Sequence, residues 1–496
     1  MSYSALSQHF QQQYHLQHIA AICGWDQATM MPAGGNQARA EAMSTLAVLS
    51  HQQLQDPRLA DWFAAAESPT NTEPALTAEQ KISLQAMQRQ WRDATMLPSD
   101  LVGAFSLAGS RCEHAWRSLR PANDWAGFLP LFEEVLNLSR QVAAARAEVL
   151  GLSRYDSLLE QFEPGMRTAT LDPLFDGVKQ WLPSLITEVQ AKQAGDRVLQ
   201  PQGSFATAQQ KALGLEIMQL LGFDFNHGRL DVSVHPFCGG VSEDVRLTTR
   251  YDEQDVAQAL MGVIHETGHA RYEQGLPAQW RSLPVGQARS MGVHESQSLF
   301  FEMQLARHPA FIAKLAPLLV QQFGEQPAFS ADNLSKLYTR VKPGLIRVDA
   351  DEVTYPAHVM LRYEIERDLI EGKLQAKDLP ERWDQLMQQY LGISTQGNYK
   401  DGCMQDIHWT DGSFGYFPSY TLGAMYAAQQ AQAMQTELGS FDQLISQDLP
   451  SVFDWLQHNI WQHASLLETD QLITQACGQP LTANAFKLHL EQRYLR

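Results

Sequence analysis

Apolar residues recur at three- and four-residue steps along most of this chain, and this helical period restricts the possible fold more than any other feature. Strand patterns are confined to an alternating segment at 229–237 and a β-branched segment at 245–251. The sequence therefore predicts a mostly α-helical fold that contains one small antiparallel β element. Five stretches show the helical period clearly: 129–152, 171–194, 206–223, 255–274 and 441–467.

A length of 496 residues is enough for about three average domains. However, no internal repeat and no Pro- or Ser-rich linker divides the chain, and the site motifs described below are spread over residues 244–409. We therefore expect a single domain over residues 1–496, with two lobes around a deep groove. Its parts are a helical lobe at roughly 1–225, the strand element and site motifs at roughly 226–425, and C-terminal helices at 426–496.

Acidic residues outnumber basic residues by 55 to 37, which gives a formal net charge of −18. This balance argues against a nucleic-acid-binding protein, because binding phosphates requires clustered Lys and Arg. The five cysteines are far apart and odd in number, so a disulfide framework is not expected. The N-terminal residues do not resemble a signal peptide, and the apolar runs are too short to span a membrane. We expect a soluble, cytoplasmic protein with neither nucleic acid nor membrane as a partner.

The segment 265–269 reads HETGH and lies within a helical pattern. Two histidines four residues apart on a helix project from one face, where both can bind zinc. Glu266 can then take a proton from water that zinc activates. The alternative is a chance match in a packed helix, but two unpaired imidazoles and a carboxylate would be costly there. The sequence therefore predicts a metal site with His265 and His269 as ligands.

A catalytic zinc site generally has a third protein ligand. The residues that follow His269 are ARYEQG, so no third histidine occurs at the short spacing found in some zinc peptidases. The helical segment 288–307 supplies the candidates Glu295, Glu302 and His294. Glu295 lies 26 residues after His269, which allows a turn and an antiparallel return, so spacing favours it without excluding the other two.

The chain contains five short motifs in order: DVRLT (244–248), HETGH (265–269), HESQS (294–298), IRVDAD (346–351) and GCMQDIHW (402–409). Together, these motifs resemble the carboxypeptidase Taq family of metallocarboxypeptidases, and the similarity extends to segments 24–35 and 415–424. The family's mostly helical, groove-bearing fold is generally homodimeric. The resemblance implies broad-specificity removal of single amino acids from peptide C-termini, with one zinc or cobalt ion per subunit and Glu295 as third ligand.

The resemblance also implies that Arg347 grips the terminal carboxylate of the substrate. Arginine suits this role because its planar guanidinium can bond to both carboxylate oxygens and stays charged. The alternative is a structural ion pair with Asp349 or Asp351. Two further side chains, His408 and Tyr416, are candidate donors to the oxyanion that develops during hydrolysis, and the alternative is that they are buried, hydrogen-bonded aromatic residues.

Two residues near the strand segments are candidates for contacts with the substrate backbone. His235 could donate to the peptide from the strand edge. Arg246 could contact the upstream end of the substrate or simply pair with Asp244. The competing functions are a zinc endopeptidase or aminopeptidase on a similar helical scaffold, and a helical binding protein whose zinc is structural or absent.

Overall fold

The computed structural model describes residues 2–67 and 75–496. Over these ranges the chain forms twenty α-helices and three strands, which confirms the mostly helical fold. The strands are β1 (Gly228–Val232), β2 (Cys238–Val241) and β3 (Asp244–Thr249). The helices are α1 (Ser2–Thr29), α2 (Asn36–Leu54), α3 (Arg58–Glu67), α4 (Ala78–Thr95), α5 (Ser99–Leu119), α6 (Trp125–Leu150), α7 (Arg154–Phe162), α8 (Thr168–Gln193), α9 (Thr207–Leu220), α10 (Val256–Gly275), α11 (Met291–Leu299), α12 (Pro309–Phe323), α13 (Ala331–Tyr338), α14 (Tyr355–Ile370), α15 (Leu379–Leu391), α16 (Pro418–Leu438), α17 (Phe441–Gln447), α18 (Leu449–Asn459), α19 (Thr469–Cys477) and α20 (Ala483–Leu495).

Four of the five predicted helical stretches correspond to the single helices α6, α8, α9 and α10. The fifth, 441–467, is divided between α17 and α18, and a short 3₁₀ turn over Trp461–His463 follows. Helix α18 begins with Leu449 and Pro450. Because proline has no backbone N–H and is favoured in the first turn of a helix, it starts a new helix here rather than extending α17.

The small sheet differs from the predicted antiparallel arrangement. Its strand order is β1-β3-β2, with β1 parallel and β2 antiparallel to β3. The segment that interrupts the two predicted strands forms β2, which reverses at Ser242 and Glu243 and pairs with one edge of β3. Therefore β1 occupies the other edge of β3. The Thr248 hydroxyl secures the crossing chain: its oxygen accepts from Phe237 N (3.0 Å) and lies 2.7 Å from Ser233 Oγ.

Helix α11 lies between α10 and α16 at the centre of the molecule. Two glycines permit this close packing. A Cβ atom at Gly268 of α10 would lie 2.4 Å from the Gln297 carbonyl oxygen, and one at Gly423 of α16 would lie 2.8 Å from Glu295 Cβ. Any larger side chain would push these helices apart, so α11 is fixed on both sides along the turns that carry Glu295.

The main hydrophobic core contains residues from all three predicted parts of the chain, from Ala108 to Tyr494. The single-domain arrangement, the two-lobed shape and the lobe boundaries stay predictions. Across residues 2–67 and 75–496, no helix combines the length and the hydropathy that a membrane span requires.

Candidate metal centre

The three predicted ligands lie together where α10 faces α11. One ligand atom from each of His265, His269 and Glu295 lies within 4.8 Å of the other two, and all three residues are half-buried. His269 Nε2 is 3.5 Å from Glu295 Oε2. The histidines share a face because they are four residues apart on α10, whose N-terminus is capped by Asp255 through Ala257 N and Gln258 N. Two imidazoles and a carboxylate form a donor set that suits zinc.

His265 is oriented from behind by Glu302. The Glu302 Oε2 atom lies 2.9 Å from His265 Nδ1, so this nitrogen carries the proton and donates to the carboxylate. The other ring nitrogen, Nε2, is not engaged by Glu302 and is therefore the atom that a metal would bind in place of a proton. Glu302 was one of the alternatives for the third ligand, and the structure places it on the far side of the His265 ring. Its other oxygen accepts from Arg307 Nη2 at 2.6 Å.

His269 is oriented by a second chain of hydrogen bonds, through His294 and Glu273. His294 Nε2 donates to Glu273 Oε1 (2.9 Å), which leaves His294 Nδ1 to accept from His269 Nδ1 at 2.7 Å. Thus the proton of His269 also sits on Nδ1, and its Nε2 atom faces Glu295 with a free lone pair. His294, the remaining alternative ligand, supports a ligand instead.

The charges around the three candidate ligands favour a cation. Burial lowers the pKa of His265, but Glu302 and Glu295 outweigh this and raise it to about 10. Burial lowers the pKa of His269 to about 4, so that ring is neutral. Burial acts to raise the pKa of Glu295, yet the polar contact with His269 and the charge of His265 hold it below its usual value. The surrounding carboxylates therefore stabilise a positive charge among them, which the protonated His265 ring supplies and which a bound divalent metal would take over.

Glu266 lies next to this cluster on α10 and is only 9% exposed. Burial raises its pKa to about 7. The nearby thiol of Cys238 on β2 has a pKa well above its ordinary value because of burial and the charges of Glu266 and Glu273. Strand β2 therefore borders the candidate centre on the side of Glu266.

Arg347 is nearly buried and pairs with a residue that the sequence reasoning did not consider. Its Nε and Nη2 atoms both donate to Asp406 Oδ1 at 3.1 Å, and Nη1 donates to the Tyr355 hydroxyl at 2.7 Å. The predicted alternative partners were wrong, because Asp351 instead caps the backbone at Val353 and Thr354. Three of the five guanidinium N–H groups are thus used, and two are left for a ligand.

Aromatic side chains lie between Arg347 and the metal candidates. The guanidinium carbon of Arg347 is 5.1 Å from the ring centroid of Tyr420, which in turn packs edge-on against Tyr416 with centroids 5.2 Å apart. Burial raises the pKa of the Tyr355, Tyr416 and Tyr420 hydroxyls, and the charge of Glu295 adds to this effect at each one. These hydroxyls therefore remain protonated donors at neutral pH, close to Glu295.

His408 is stacked on Tyr416, with ring centroids 5.7 Å apart and planes 19° from parallel. Burial lowers its pKa to about 4, so the ring is neutral. Its Nδ1 atom is buried and has no hydrogen-bond partner in the described parts of the chain. An imidazole nitrogen in that position can serve a bound molecule, which agrees with a site role for His408 better than with the fully hydrogen-bonded alternative.

The two candidates near the sheet are less directly connected to the cluster. His235 is exposed in the segment between β1 and β2, and its carbonyl accepts from Ser233 Oγ at 2.6 Å. Arg246 forms a bidentate pair with Asp244 (2.5 and 2.8 Å), and its guanidinium lies 4.5 Å from the ring centroid of Trp25. This pairing is the structural alternative already considered for Arg246. A substrate contact by either residue stays a prediction.

Comparison with known proteins identifies the family of this arrangement. The model of the carboxypeptidase Taq (M32) metallopeptidases matches residues 5–494. The chain belongs to this family. M32 proteins are metallopeptidases, so the chain is a peptide hydrolase that uses a divalent metal, and its His-His-Glu cluster is a suitable place for that metal.

Individual M32 relatives agree closely in sequence and fold. Thermostable carboxypeptidase 1 of Thermus thermophilus is 36% identical, over 97% of this chain and 96% of its own length. Carboxypeptidase 1 of Bacillus subtilis is 33% identical, over 97% and 95%. The structure of Trypanosoma cruzi metallocarboxypeptidase 1 aligns with a TM-score of 0.97 and 44% identity, covering 100% of this chain and 99% of that one. The family and these names support a metallocarboxypeptidase over the endopeptidase, aminopeptidase and binding-protein alternatives.

Sequence reasoning missed several residues that shape the centre. Glu273 follows His269 by four residues, a helical spacing that could have revealed it as a neighbour of the histidines. Asp406 lies within the GCMQDIHW motif, but nothing in its spacing indicates the pairing with Arg347. Gly268 is inside HETGH, where the close approach of α11 explains why this position has no side chain.

Proposed function

We propose that this M32 protein is a zinc carboxypeptidase that removes single amino acids from the C-termini of peptides. His265, His269 and Glu295 would hold one ion per subunit, with cobalt as a possible substitute. The observation that carries this proposal is the convergence of these three donors within 4.8 Å, with Nδ1 of each imidazole engaged by a supporting side chain so that Nε2 is the ring nitrogen left for a metal.

When bound, zinc supplies a Lewis acid that polarises the scissile carbonyl and lowers the pKa of water. Glu266 is the general base: its carboxylate takes a proton from the attacking water and returns it to the nitrogen of the leaving amino acid. Glu266 is suited to both steps because it is buried next to the His265 ligand, where its carboxylate can take the proton and pass it on without exchange with bulk water.

Arg347 would bind the terminal carboxylate of the substrate through its two unused N–H groups. Asp406 and Tyr355 hold the guanidinium in place, so little side-chain entropy is lost when the substrate binds. Tyr416 and His408 would donate to the developing oxyanion. His235 and Arg246 would contact the peptide further upstream.

The remaining expectations come from the family resemblance. The protein would act as a homodimer in the cytoplasm and would accept many C-terminal residues. Size-exclusion chromatography with light scattering would measure the oligomeric state. Digestion of a mixed peptide pool, followed over time by mass spectrometry, would measure the specificity.

The proposal is tested by E266Q together with a pair of peptides. The wild type should cut an N-blocked peptide with a free C-terminus and spare its C-terminal amide, and chelation should stop the reaction. E266Q should keep its full metal content, because no ligand is changed, but should lose activity by at least about 100-fold. Retained turnover in metal-loaded E266Q would refute the role of Glu266, and cleavage of the amide would refute carboxypeptidase specificity.

A further inference from the structure

The last turn of the C-terminal helix α20 reaches the back of the candidate metal centre. Here Arg493, whose side chain is only 9% exposed, donates through Nη1 to the Met303 carbonyl and to Glu352 Oε2, the latter at 3.1 Å. Met303 belongs to a π-helical segment, Phe300–Ala306, that follows α11 directly. The segment contains Glu302, the residue that orients His265.

π-helical turns are rare and occur mostly near functional sites, where they depart from ordinary helix hydrogen bonding. A buried guanidinium that binds a carbonyl within such a turn stabilises this local geometry. The carbonyl of Met303 is one peptide unit from Glu302. A shift of this carbonyl would therefore move the carboxylate that holds His265 Nδ1.

Glu352 fixes the position of Arg493 from the other side. Its carboxylate is buried and accepts three hydrogen bonds from α20: from His489 Nε2 (2.7 Å), Arg493 Nη1 (3.1 Å) and the Tyr494 hydroxyl (2.9 Å). Glu352 follows Arg347 by five residues in the chain. The Arg493 guanidinium thus contacts two segments. One is the π-helical segment whose Glu302 orients His265, and the other is the segment that carries Arg347.

We propose that Arg493 is a positioning residue for the metal centre, acting through the π-helical segment and Glu302 on His265. This inference rests on the proposed ligand set. Direct partners of metal-binding histidines typically change metal affinity about 10- to 100-fold when mutated. Arg493 acts one step further away, so its loss should weaken zinc binding by about 5- to 10-fold.

The experiment compares the zinc affinity of full-length metal-free variants by competition with a chromophoric chelator. R493Q should bind zinc about 5- to 10-fold more weakly, whereas R493K should recover most of the affinity, because one amine can replace the single Nη1 donor. The matched control is K487Q, which removes the same charge from a half-exposed position on the same helix. K487Q should bind zinc like the wild type.

Urea unfolding of the same metal-free proteins separates positioning from stability. If Arg493 only stabilised the fold, R493Q would have a lower urea midpoint than the wild type but the same zinc affinity. That result would overturn the proposal. Equal weakening in R493Q and K487Q would also overturn it, because the effect would then be one of net charge. If R493Q does not fold, E352Q provides the same test, because it removes the carboxylate that holds Arg493 in place. Unchanged zinc affinity of E352Q would then count against the proposal.

A third comparison separates this inference from the proposed function. E295A should lose zinc on dialysis if the ligand set is correct. Full zinc retention in E295A would refute the ligand set itself. Loss of zinc in E295A with unchanged affinity in R493Q would refute only the role of Arg493.

Discussion

Replacing Gly268 by alanine is expected to separate α10 from α11 and to weaken metal binding. The new Cβ atom would lie 2.4 Å from the carbonyl oxygen of Gln297 and 2.7 Å from Cα of Ser298. Both contacts are to backbone, so no side-chain rotation can relieve them. Because a close carbon–oxygen contact is about 3.3 Å, the helices must move apart by about 1 Å.

This displacement has different effects on stability and on metal binding. Overpacking costs about 1–3 kcal/mol, and the helix preference of alanine over glycine returns about 1 kcal/mol, so the net loss of stability should be about 0–2 kcal/mol. Metal–ligand distances tolerate only about 0.2 Å, so moving Glu295 by about 1 Å should remove it as a ligand. We expect zinc affinity to fall at least about 100-fold.

The matched control is G262A in the same helix, where a Cβ atom would have no neighbour within 4 Å. It should gain about 1 kcal/mol of stability and keep wild-type zinc affinity. Chelator competition gives the affinity of each metal-free variant, and urea unfolding gives its stability. Zinc affinity of G268A within twofold of the wild type would refute the argument that close packing of α10 and α11 sets the ligand geometry.

Three further predictions concern the site and its surroundings. Glu163 is buried beside α11 and accepts from Gly292 N and from the Ser419 hydroxyl (2.9 Å). Burial raises the pKa of Glu163 to about 7 from an ordinary value of 4.5, so ionisation is harder in the folded state and this group should remove about 3 kcal/mol of stability as the pH rises from 4.5 to 7. E163Q should remove this loss, and parallel pH profiles of urea unfolding for variant and wild type would contradict the assignment. E302Q leaves His265 Nδ1 with a neutral acceptor and should weaken zinc binding about 10- to 100-fold by chelator competition; unchanged affinity would show that Glu302 does not orient the ring. R347A should lower kcat/KM for a free C-terminus about 10- to 100-fold and reduce the preference over the amide, whereas an undiminished preference would mean that another residue binds the carboxylate.

The helices and the three metal candidates could be predicted because their signals are local. The apolar period is contained within each helix, and the spacing of four residues in HETGH places both imidazoles on one face whatever surrounds it. Spacing could not choose among Glu295, Glu302 and His294. In the structure all three lie near the histidines, and only the atoms that they approach distinguish a ligand from a support.

Features that depend on distant partners were not predictable in this way. The sheet was expected to be antiparallel because the short CGGV segment gave no strand signal of its own, although as β2 it takes the antiparallel edge of β3. Arg347 was matched with nearby acids in the chain, whereas its partner Asp406 is 59 residues away. Periodicity indicates which face of a helix is buried, but not which distant residue packs against that face.

The positions of the supporting residues along the chain also determine when the metal centre is complete. The three candidate ligands are synthesised within about 30 residues of one another, but Gly423 of α16 and Arg493 of α20 follow more than about 100 residues later. At roughly 5–20 residues per second, α20 is translated about 10–40 s after Glu295. Until α16 has been translated α11 lacks one of its two packing neighbours, and until α20 has been translated the π-helical segment lacks the guanidinium that binds its carbonyl. We therefore expect the metal to enter only after α20 has been synthesised.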